Sequence, residues 1–391
     1  MALDQKGEIK QMKRICYIAN SMIPSHWANS IQVMKMCAAL AKHGIRTELV
    51  VPLHFLSQWK AIRERIDIWD WYAVPRNFRI TFLPYPHLGR RFAVRGYALA
   101  AAIYVRHRKP DLVYTRSNLW VPYWLSRLGC PVVFEAHDLS EERKYPIFHS
   151  LSEEMEDGSL QGVVTISKGL ALAYIEEGFP PDKVYVLHDG VDLERFGCPL
   201  SQFNARKETG LPTDCPIVCY AGSLREAYGI DVLLECALRL PKVLFVFVGG
   251  AEQEVKRYRI FCKNKGLKNV LFVGWVANSI VPKYLYASDI LAMPYTTKVP
   301  TDQFMSPLKM FEYLAARRPI VATDLPTIRE VLVHEHNAIL VKPDSAGALR
   351  SGIERILGEP ALAERIAQQA RRDAEKYSWS NRAKAIIERF L

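Results

Sequence analysis

The 391-residue sequence lacks the patterns that mark disulfide frameworks and common metal sites. Its eight cysteines include no C-x-x-C pair, and no cluster of histidine and cysteine has the spacing of metal ligands. No D-x-D pair of carboxylates occurs anywhere in the chain. We therefore predict that the cysteines are reduced core residues of a cytosolic protein and that they build no metal centre.

Long apolar runs are also missing. The longest, residues 97–105, is far shorter than the roughly 20 residues that a membrane-spanning helix needs. Residues 1–14 are polar and lack the apolar core of a signal peptide. No internal repeat and no low-complexity segment interrupts the chain. We expect a protein that can lie on a membrane without crossing it.

Positive charge is in excess and unevenly placed. The net charge is +11, and residues 1–130 hold 20 Lys and Arg against 7 Asp and Glu. Residues 131–195 reverse the balance, with 5 basic against 14 acidic residues. A basic N-terminal third favours an anionic partner, which can be a membrane surface, a phosphorylated acceptor or a nucleic acid. A solvated basic surface without a partner is the alternative.

Short apolar runs alternate with helical patterns through most of the chain. A strand at 15–19, a helix with apolar residues at three- and four-residue spacing at 31–41, and a strand at 47–51 form the first unit. Such a unit demands a right-handed crossover and a parallel sheet. Residues 54–110, rich in aromatic and basic side chains, are harder to assign. Further strands are predicted at 113–115, 132–134, 163–166, 184–187, 217–220, 244–248, 270–273, 290–293 and 319–323.

Length and pattern both divide the chain into two α/β domains. A chain of 391 residues is too long for one ordinary core, and the alternation stops at 197–214, where turn formers replace periodicity. We predict doubly wound, Rossmann-like domains at 1–196 and 215–375, joined by a linker at 197–214 and facing a central cleft. A C-terminal helix at 376–391 is expected to pack back on the first domain. Ligands of doubly wound sheets bind beyond the carboxyl ends of the strands, so the cleft is the default site.

The most informative stretch is D-Q-F-M-S-P-L-K-M-F-E-Y-L-A-A at 302–316. Pro307 suits the first turn of a helix, and Ser306 before it is a good N-cap. Lys309 then falls in the first turn, where a cation opposes the helix dipole unless an anion is nearby. A free helix N-terminus with a lysine beside it favours a phosphate site, and a capped helix with solvated charges is the alternative.

Several motifs, taken together and in order, resemble retaining glycosyltransferases of the glycosyltransferase-B fold, family four. In the C-terminal half they are A-G-S-L-x4-G-I-D at 221–231, G-W at 274–275, A-S-D-I-L-A-M-P-Y at 287–295 and S-P-L-K-M-F-E-Y-L-A at 306–315. In the N-terminal half they are A-N-S-I-Q-V-M-K-M-C at 28–37, D-L-V-Y-T-R at 111–116, E-A-H-D at 135–138, T-I-S-K at 165–168 and H-D-G-V-D at 188–192. The resemblance covers residues 15–345, and the S-P-x-K variant is typical of a subgroup.

The resemblance implies that a nucleotide-diphosphate sugar, UDP- or GDP-linked, binds the second domain without a metal or another cofactor. The donor-binding residues that it implies are Gly222, Ser223, Trp275, Val276, Asp302, Ser306, Pro307, Leu308 and Glu312. Of these, Gly222 allows close approach of the backbone to the diphosphate, Glu312 accepts both ribose hydroxyls, and Trp275 packs on the base. Phe304 stands where the family has its first glutamate, so Asp302 is the candidate replacement.

The sequence also departs from the family pattern at the two cations that hold the diphosphate. Ser223 and Tyr228 stand in their usual places. Arg225 and Lys309 are the predicted substitutes. Lys309 is the stronger candidate, because an ammonium at a helix N-terminus suits a leaving diphosphate.

The first domain is implied to bind the acceptor. His137 of E-A-H-D matches a histidine that faces the donor sugar in relatives, where it can donate to a hydroxyl or stabilise developing charge. Asn29 and Ser30 match the acceptor-side loop and can also cap the next helix. Arg116 follows a strand and could reach an acceptor phosphate, with a solvated charge as the alternative. The predicted catalytic residues are thus His137, Lys309 and Arg225, and the predicted acceptor-side residues are Asn29, Ser30 and Arg116.

The implied function is retaining transfer of a hexose-type sugar to a hydroxyl of a glycan or lipid-linked acceptor at the cytoplasmic face of a membrane. The leaving phosphate is expected to assist the incoming hydroxyl, so the enzyme mainly positions groups and stabilises charge. A nucleotide-sugar epimerase and a non-catalytic nucleotide- or sugar-binding protein of the same fold are the alternatives. Charge alone also admits a nucleic-acid binder, but no nucleic-acid motif occurs. The oligomeric state stays open.

Overall fold

The computed structural model describes residues 12–54, 59, 61–85, 90–116, 118–156, 158–197 and 199–391. The chain forms two compact units, of which the first consists of Met1–His188 and Trp379–Leu391, and the second of Asp189–Ser378. Each unit is built around its own parallel sheet. The prediction of two doubly wound α/β domains is therefore confirmed.

The first unit alternates strands and helices from its first strand onward. Its strands are β1 (Arg14–Ala19), β2 (Arg46–Pro52), β3 (Arg79–Leu83), β4 (Leu112–Arg116), β5 (Val132–Ala136), β6 (Leu160–Thr165) and β7 (Val184–Val186). The helices between them are α1 (Ala28–Lys42), α2 (Ile68–Tyr72), α3 (Arg90–Arg108), α4 (Trp120–Arg127), α5 (Leu139–Glu142), α6 (Ser150–Glu156) and α7 (Lys168–Glu176). The strands lie in the order β3-β2-β1-β4-β5-β6-β7.

The second unit repeats this plan with six strands. They are β8 (Ile217–Ala221), β9 (Leu244–Val248), β10 (Val270–Gly274), β11 (Ile290–Met293), β12 (Ile320–Thr323) and β13 (Ile339–Val341). The helices are α8 (Gln202–Thr209), α9 (Ile230–Arg239), α10 (Glu252–Asn264), α11 (Val281–Ala287), α12 (Leu308–Ala315), α13 (Pro326–Arg329), α14 (Ala346–Gly358) and α15 (Pro360–Ala374). The strands lie in the order β10-β9-β8-β11-β12-β13.

The strand order explains both the core and the position of a binding site. Helices cover both faces of a parallel sheet, so central strands are apolar throughout, and β8 and β11 are buried along their whole length. The order reverses between β1 and β4 in the first sheet and between β8 and β11 in the second. Loops that leave such a switch point diverge and open a crevice at the carboxyl ends of the strands.

The segment 197–214, predicted to be a linker, contains α8 and belongs to the second unit, whose boundary falls at Asp189. The helix packs on α11 through a buried arginine: Arg206 donates to the Ala287 carbonyl at 2.9 Å and to Asp289 at 2.6 Å. Its mostly polar sequence, Q-F-N-A-R-K-E-T, has no apolar period that could have revealed it. Strands β3 and β13 also escaped prediction, because one is a partly exposed edge strand and the other has three residues.

The C-terminal helix, α16 (Trp379–Phe390), belongs to the first unit, where it packs against α1. Trp379, Ala383 and Ile386 form its buried stripe. His43, which follows α1, lies with Nε2 2.9 Å from the Ser380 hydroxyl. The last helix is thus part of the core of the unit in which the chain begins.

Candidate functional site

Two glycine loops meet beyond the carboxyl ends of β8 and β9. Gly222 has a φ of +141°, and a side-chain carbon added to it would lie 2.6 Å from Lys309 Nζ. A carbon added to Gly249, at φ +105°, would lie 2.5 Å from the Gly222 carbonyl oxygen. The Gly222 N–H donates to the Val248 carbonyl at 2.8 Å. Both positions therefore require glycine, and no side chain of their own covers the backbone there.

Lys309 lies beside this loop in a cage of three tyrosines. Its Nζ is 3.8 Å from the centre of the Tyr220 ring, 5.2 Å from that of Tyr295 and 5.7 Å from that of Tyr228. The residue is 9% exposed, and within the described structure its ammonium has no hydrogen-bond partner. Burial lowers the pKa of Lys309 to about 7, and the charge of Glu312 opposes this only in part. Tyrosine faces attract a cation but leave its N–H groups unsatisfied, so the cage holds a donor ready for an anion.

Lys309 stands in the first turn of α12, which begins at Leu308. Pro307 is the N-cap residue, with an extended backbone (φ −70°, ψ 123°), and it makes no capping hydrogen bond through its side chain. Ser306, predicted to be the N-cap, instead accepts from the N–H of Asp189 at 3.1 Å. That prediction was wrong because the backbone of Pro307 is itself extended, so the helix begins at Leu308 and the cap position falls on the proline. Of the first-turn groups, the Met310 N–H donates to the Pro307 carbonyl at 2.9 Å. The positive end of the helix adds to the charge of Lys309.

Glu312, predicted to bind ribose, is held by an arginine that the sequence did not indicate. Its carboxylate forms an ion pair with Arg195, and both side chains are largely buried. Arg195 follows the H-D-G-V-D motif and lies 5.3 Å from the Phe196 ring. The partners are 117 residues apart, so no local pattern reveals the pair. The contact orients the carboxylate about one helical turn beyond Lys309.

Arg225, the second predicted cation, also approaches the tyrosine that replaces the family lysine. Its guanidinium carbon lies 6.0 Å from the Tyr228 ring, while Lys309 lies 5.7 Å from the same ring. Ser223 contributes backbone rather than charge, since its carbonyl accepts from the Tyr220 hydroxyl at 2.6 Å. The structure therefore brings both substitute cations to one aromatic group.

Trp275, Val276 and Asp302 occupy loops of the same unit. Trp275 follows β10 and is 45% exposed, whereas Val276 packs against the core cluster that includes α12. The Asp302 carbonyl accepts from the Thr327 hydroxyl at 2.6 Å. Trp275 thus presents an aromatic surface to solvent, and Asp302 lies four residues before Ser306 at the entry to α12.

In the first unit, His137 and Arg116 meet beyond the ends of β5 and β4. Arg116 Nη2 lies 3.1 Å from His137 Nδ1, and Arg116 Nε lies 2.7 Å from His137 Nε2. His137 Nε2 also lies 2.6 Å from Glu135 Oε1. Burial, together with the charge of Arg116, lowers the pKa of His137 to about 4, so the ring is neutral near pH 7. Nε2 thus faces both a donor, Arg116 Nε, and an acceptor, Glu135 Oε1. With ionised Glu135 as acceptor the single proton lies on Nε2, Nδ1 accepts from Arg116 Nη2, and the Arg116 Nε–H cannot donate to Nε2 at the same time.

Glu135 is the centre of this cluster, although the sequence indicated no role for it. Its buried carboxylate meets Gln32 Nε2 at 2.5 Å, Arg382 Nη1 at 2.9 Å and the Tyr114 hydroxyl. Burial acts to raise the pKa of Glu135, but the charge of Arg382 and the contact with His137 outweigh it and hold the pKa well below its usual value. Arg382 lies in α16, 247 residues further along the chain.

Asn29 and Ser30, predicted to cap α1, lie inside its first turn. Trp27 occupies the N-cap position, and its side chain does not cap the helix. Ser30 is fully buried, and its hydroxyl bonds to Ser25 Oγ at 2.9 Å and donates to the Trp27 carbonyl at 2.8 Å. The capping prediction was wrong because the helix starts at Ala28, two residues earlier than a cap at Asn29 requires. Ser30 therefore holds the turn before α1, and Asn29 is the half-exposed member of the pair.

Each half of the chain matches a known protein family. The family "Glycosyltransferase Family 4" matches residues 30–195, and the family "Glycosyl transferases group 1" matches residues 201–373. The chain is built from two glycosyltransferase domains. The group 1 domain holds Lys309, Glu312 and the glycine loops, and the family 4 domain holds His137 and Arg116.

The relatives of these glycosyltransferase domains are distant in sequence and close in fold. An uncharacterised glycosyltransferase of Methanocaldococcus jannaschii is 27% identical over 236 residues, 58% of each chain, so the match spans less than two thirds of that protein. A D-inositol 3-phosphate glycosyltransferase of Xylanimonas cellulosilytica is 25% identical over 307 residues, 71% of each chain. Anabaena HepE, solved in complex with UDP and glucose, superposes with a TM-score of 0.73 at 17% identity, over 97% of this chain and 99% of that one. This likeness confirms the glycosyltransferase-B fold.

Proposed function

We propose that the protein is a retaining glycosyltransferase of the S-P-x-K subgroup. It moves a hexose-type sugar from a UDP- or GDP-linked donor to a hydroxyl of a glycan or lipid-linked acceptor. The observation that carries the proposal is the unpartnered ammonium of Lys309, held between the Gly222 loop and the start of α12. Relatives named as glycosyltransferases, and UDP in the HepE complex, support a nucleotide sugar as the donor.

The donor diphosphate would lie against the positive end of α12. The first-turn N–H groups and the Gly222 loop supply neutral donors, and Lys309 and Arg225 supply positive charge. Negative charge grows on the leaving phosphate as the glycosidic bond breaks, so these groups stabilise the transition state more than the ground state. In this proposal they do the work that a metal ion does in other enzymes, and transfer proceeds in the presence of EDTA.

The nucleoside would occupy the same face of the group 1 domain. Glu312, oriented by Arg195, accepts the ribose hydroxyls, and Trp275 packs on the base with backbone groups near Val276 reading its edge. The Ser306 hydroxyl accepts from the Asp189 N–H at the entry to α12 and can still donate its own proton to the donor substrate. Asp302 is the proposed sugar-facing carboxylate in place of the missing glutamate.

Retention in this proposal needs no protein nucleophile. The leaving phosphate takes the proton of the acceptor hydroxyl, which attacks the same face of the sugar, and the protein contributes positioning and charge. Both ring nitrogens of His137 already have protein partners, so a sugar hydroxyl that bonds to Nδ1 has to replace Arg116 there. Arg116 is then available to an anionic group of the acceptor.

The acceptor side is proposed to contact an anionic membrane through α3. This helix has five arginines and no acidic residue, and it exposes Phe92, Leu99 and Ile103 by 71%, 49% and 54%. The spacing of these three residues puts them on one face, with Arg95 and Arg106 together along one edge of it. Such a helix suits the interface of an anionic bilayer at the cytoplasmic side. Within the described ranges, no helix is long and apolar enough to cross a membrane.

The test is a transfer assay with UDP-glucose, UDP-galactose and GDP-mannose, in which nucleotide release and the anomeric configuration of the product are measured. Lys309→Met removes the cation, and Lys263→Met, an exposed lysine in the last turn of α10, is the matched control. We expect retention, and a loss of at least about 100-fold in rate for Lys309→Met alone, since one charge contact in a transition state is worth about 2.7–4 kcal/mol. Inversion would refute the retaining mechanism. An absence of turnover with every donor would favour a non-catalytic binding protein.

A further inference from the structure

The last helix of the chain inserts one arginine beside the buried carboxylate of the first unit. Arg382 is almost fully buried, and its guanidinium donates to oxygen atoms of three residues at once. Nη1 donates to Glu135 Oε2 at 2.9 Å, Nε to the His188 carbonyl at 3.0 Å, and Nη2 to the Leu187 carbonyl at 3.1 Å. The guanidinium fork therefore joins the end of β7, the helix α16 and the carboxylate that holds His137.

We propose that Arg382 is a positioning residue of the transferase: by neutralising Glu135 from one oxygen, it keeps the other oxygen as the acceptor that fixes the tautomer and orientation of His137. The inference rests on the proposed role of His137. It assigns to the C-terminal helix a part in the reaction centre of the family 4 domain, which nothing in the motifs indicated.

The buried carboxylate of Glu135 needs partners that compensate for its lost hydration. A buried carboxylate stays ionised only when enough positive charge and hydrogen bonds surround it. Arg382 is the cation bonded to it at hydrogen-bond distance, whereas Arg116 Nε is 3.6 Å from Oε1. The other contacts, from Gln32 and Tyr114, come from neutral groups. Loss of Arg382 would therefore leave Glu135 to take up a proton.

A protonated Glu135 changes what His137 can do. A neutral carboxyl offers a proton of its own, and His137 Nε2 then accepts rather than donates. The imidazole proton would move to Nδ1, where Arg116 also donates, so the ring has to turn or lose that contact. The lone pair that the proposed mechanism offers to a sugar hydroxyl is then lost. Loss of Arg382 can therefore act in two ways. Acting through Glu135 it changes the tautomer of His137, whereas a loss of packing at α16 lowers only the melting temperature, and the two can be measured separately.

The experiment compares Arg382→Met, Arg382→Lys and the control Lys384→Met, which removes an exposed cation from the same helix. Two readouts are taken on the full chain: the imidazole ¹⁵N shifts of His137, and kcat with donor KM between pH 5 and pH 9. We expect the wild type and Lys384→Met to show the Nε2–H tautomer. Arg382→Met should lose it, with kcat reduced at least about tenfold and donor KM within about twofold. The acidic limb of its kcat profile should move toward neutral pH, because Glu135 protonates more readily.

Arg382→Lys keeps the inference testable if the methionine variant does not fold. A single ammonium can meet Glu135 but not the two carbonyls as well, so intermediate tautomer populations and an intermediate kcat are expected. Wild-type tautomer and pH profile in a folded variant, with only a lower melting temperature, would show that Arg382 merely anchors α16 and would overturn the inference. The proposed function fails differently, through absence of nucleotide binding or transfer in the wild type, which the ¹⁵N readout does not require.

Discussion

The ammonium nitrogen of Lys309 lies 3.8 Å from the centre of the Tyr220 ring, and no oxygen atom in the described structure is bonded to it. A buried cation without a hydrogen-bond partner is costly, and aromatic faces repay only part of that cost. The arrangement is understandable if an anionic ligand completes it. The Gly222 loop and the uncapped start of α12 border the same ammonium and supply the N–H groups that a phosphate needs.

The depressed pKa of Lys309 predicts that nucleotide affinity falls as pH rises. The pKa of about 7 means that half of the unliganded protein lacks the proton at pH 7, and a bound diphosphate should restore it. Binding then requires proton uptake, and the dissociation constant of UDP should rise more than about tenfold between pH 7 and pH 8.5. Titration calorimetry in buffers of different ionisation enthalpy measures both effects. Lys309→Met should bind weakly with no pH dependence; an equal pH dependence in that variant would assign the titration to another group.

The same pKa predicts how stability depends on pH. Lys309 has a pKa lower in the folded than in the unfolded chain, where the ordinary value is about 10.5. Between these values the unfolded state binds more protons, so the contribution of Lys309 to the free energy of unfolding rises with pH above about 7. The free energy of unfolding, measured with urea at pH 7, 8 and 9, should rise more steeply with pH, or fall less steeply, for the wild type than for Lys309→Met. Parallel curves for the two proteins would contradict a depressed pKa.

Gly222→Ala should weaken nucleotide binding, because the added methyl group would lie 2.6 Å from Lys309 Nζ and displace it. Gly266→Ala is the matched control: it also stands at positive φ, but nothing lies within 4 Å of the added carbon. Both variants carry backbone strain of about 1–2 kcal/mol. We expect UDP affinity to fall at least about tenfold for Gly222→Ala and to stay unchanged for Gly266→Ala, measured by thermal shift against UDP concentration. If Gly222→Ala and Gly266→Ala bind UDP with equal affinity, the Gly222 loop does not contact the nucleotide.

Glu312 should make the protein discriminate ribose from deoxyribose. A carboxylate that accepts the 2′-hydroxyl contributes about 1.5–3 kcal/mol, so UDP should bind at least about tenfold more tightly than 2′-deoxy-UDP. Glu312→Gln should lose most of this preference. Glu354→Gln, which removes an exposed carboxylate paired with Arg350 in α14, should keep it. If the wild type binds UDP and 2′-deoxy-UDP equally, Glu312 does not accept the 2′-hydroxyl, and its role is limited to the ion pair with Arg195.

The exposed stripe of α3 should bind anionic vesicles. Leu99→Ser combined with Ile103→Ser removes apolar area that the proposed contact buries, and should reduce cosedimentation with phosphatidylglycerol vesicles at least about tenfold. Leu172→Ser, which changes a leucine of α7 that is even more exposed, should have no effect. Binding of the wild type should weaken as salt is raised. Unchanged vesicle binding by the double variant would exclude α3 as the contact surface.

Local pattern was enough to predict the α/β class and most strands, because buried parallel strands such as β9 and β11 are continuous apolar runs bounded by turns. It failed at α8, where a buried arginine takes the place of an apolar stripe, and at the edge strand β3. It also misplaced the start of α12, since Ser306 and Pro307 fit a capped helix as well as the extended entry that occurs.

At the candidate site, the sequence supplied the groups but not their partners. Lys309, Gly222 and His137 carry motifs that point to them. Arg195 and Arg382 carry none, because each contributes through a contact across more than a hundred residues of chain. The tyrosine cage was not predicted either. In the sequence, Tyr228 indicated only that the lysine of the family pattern is missing, whereas in the structure its ring faces Lys309.

The most direct test of the account is the affinity of UDP and GDP for the wild type, Lys309→Met and Lys263→Met, measured by titration calorimetry at pH 7. The account predicts that one nucleotide binds the wild type and Lys263→Met with the same dissociation constant, and binds Lys309→Met at least about tenfold more weakly. Equal binding to all three proteins would place the diphosphate elsewhere and contradict the central assignment.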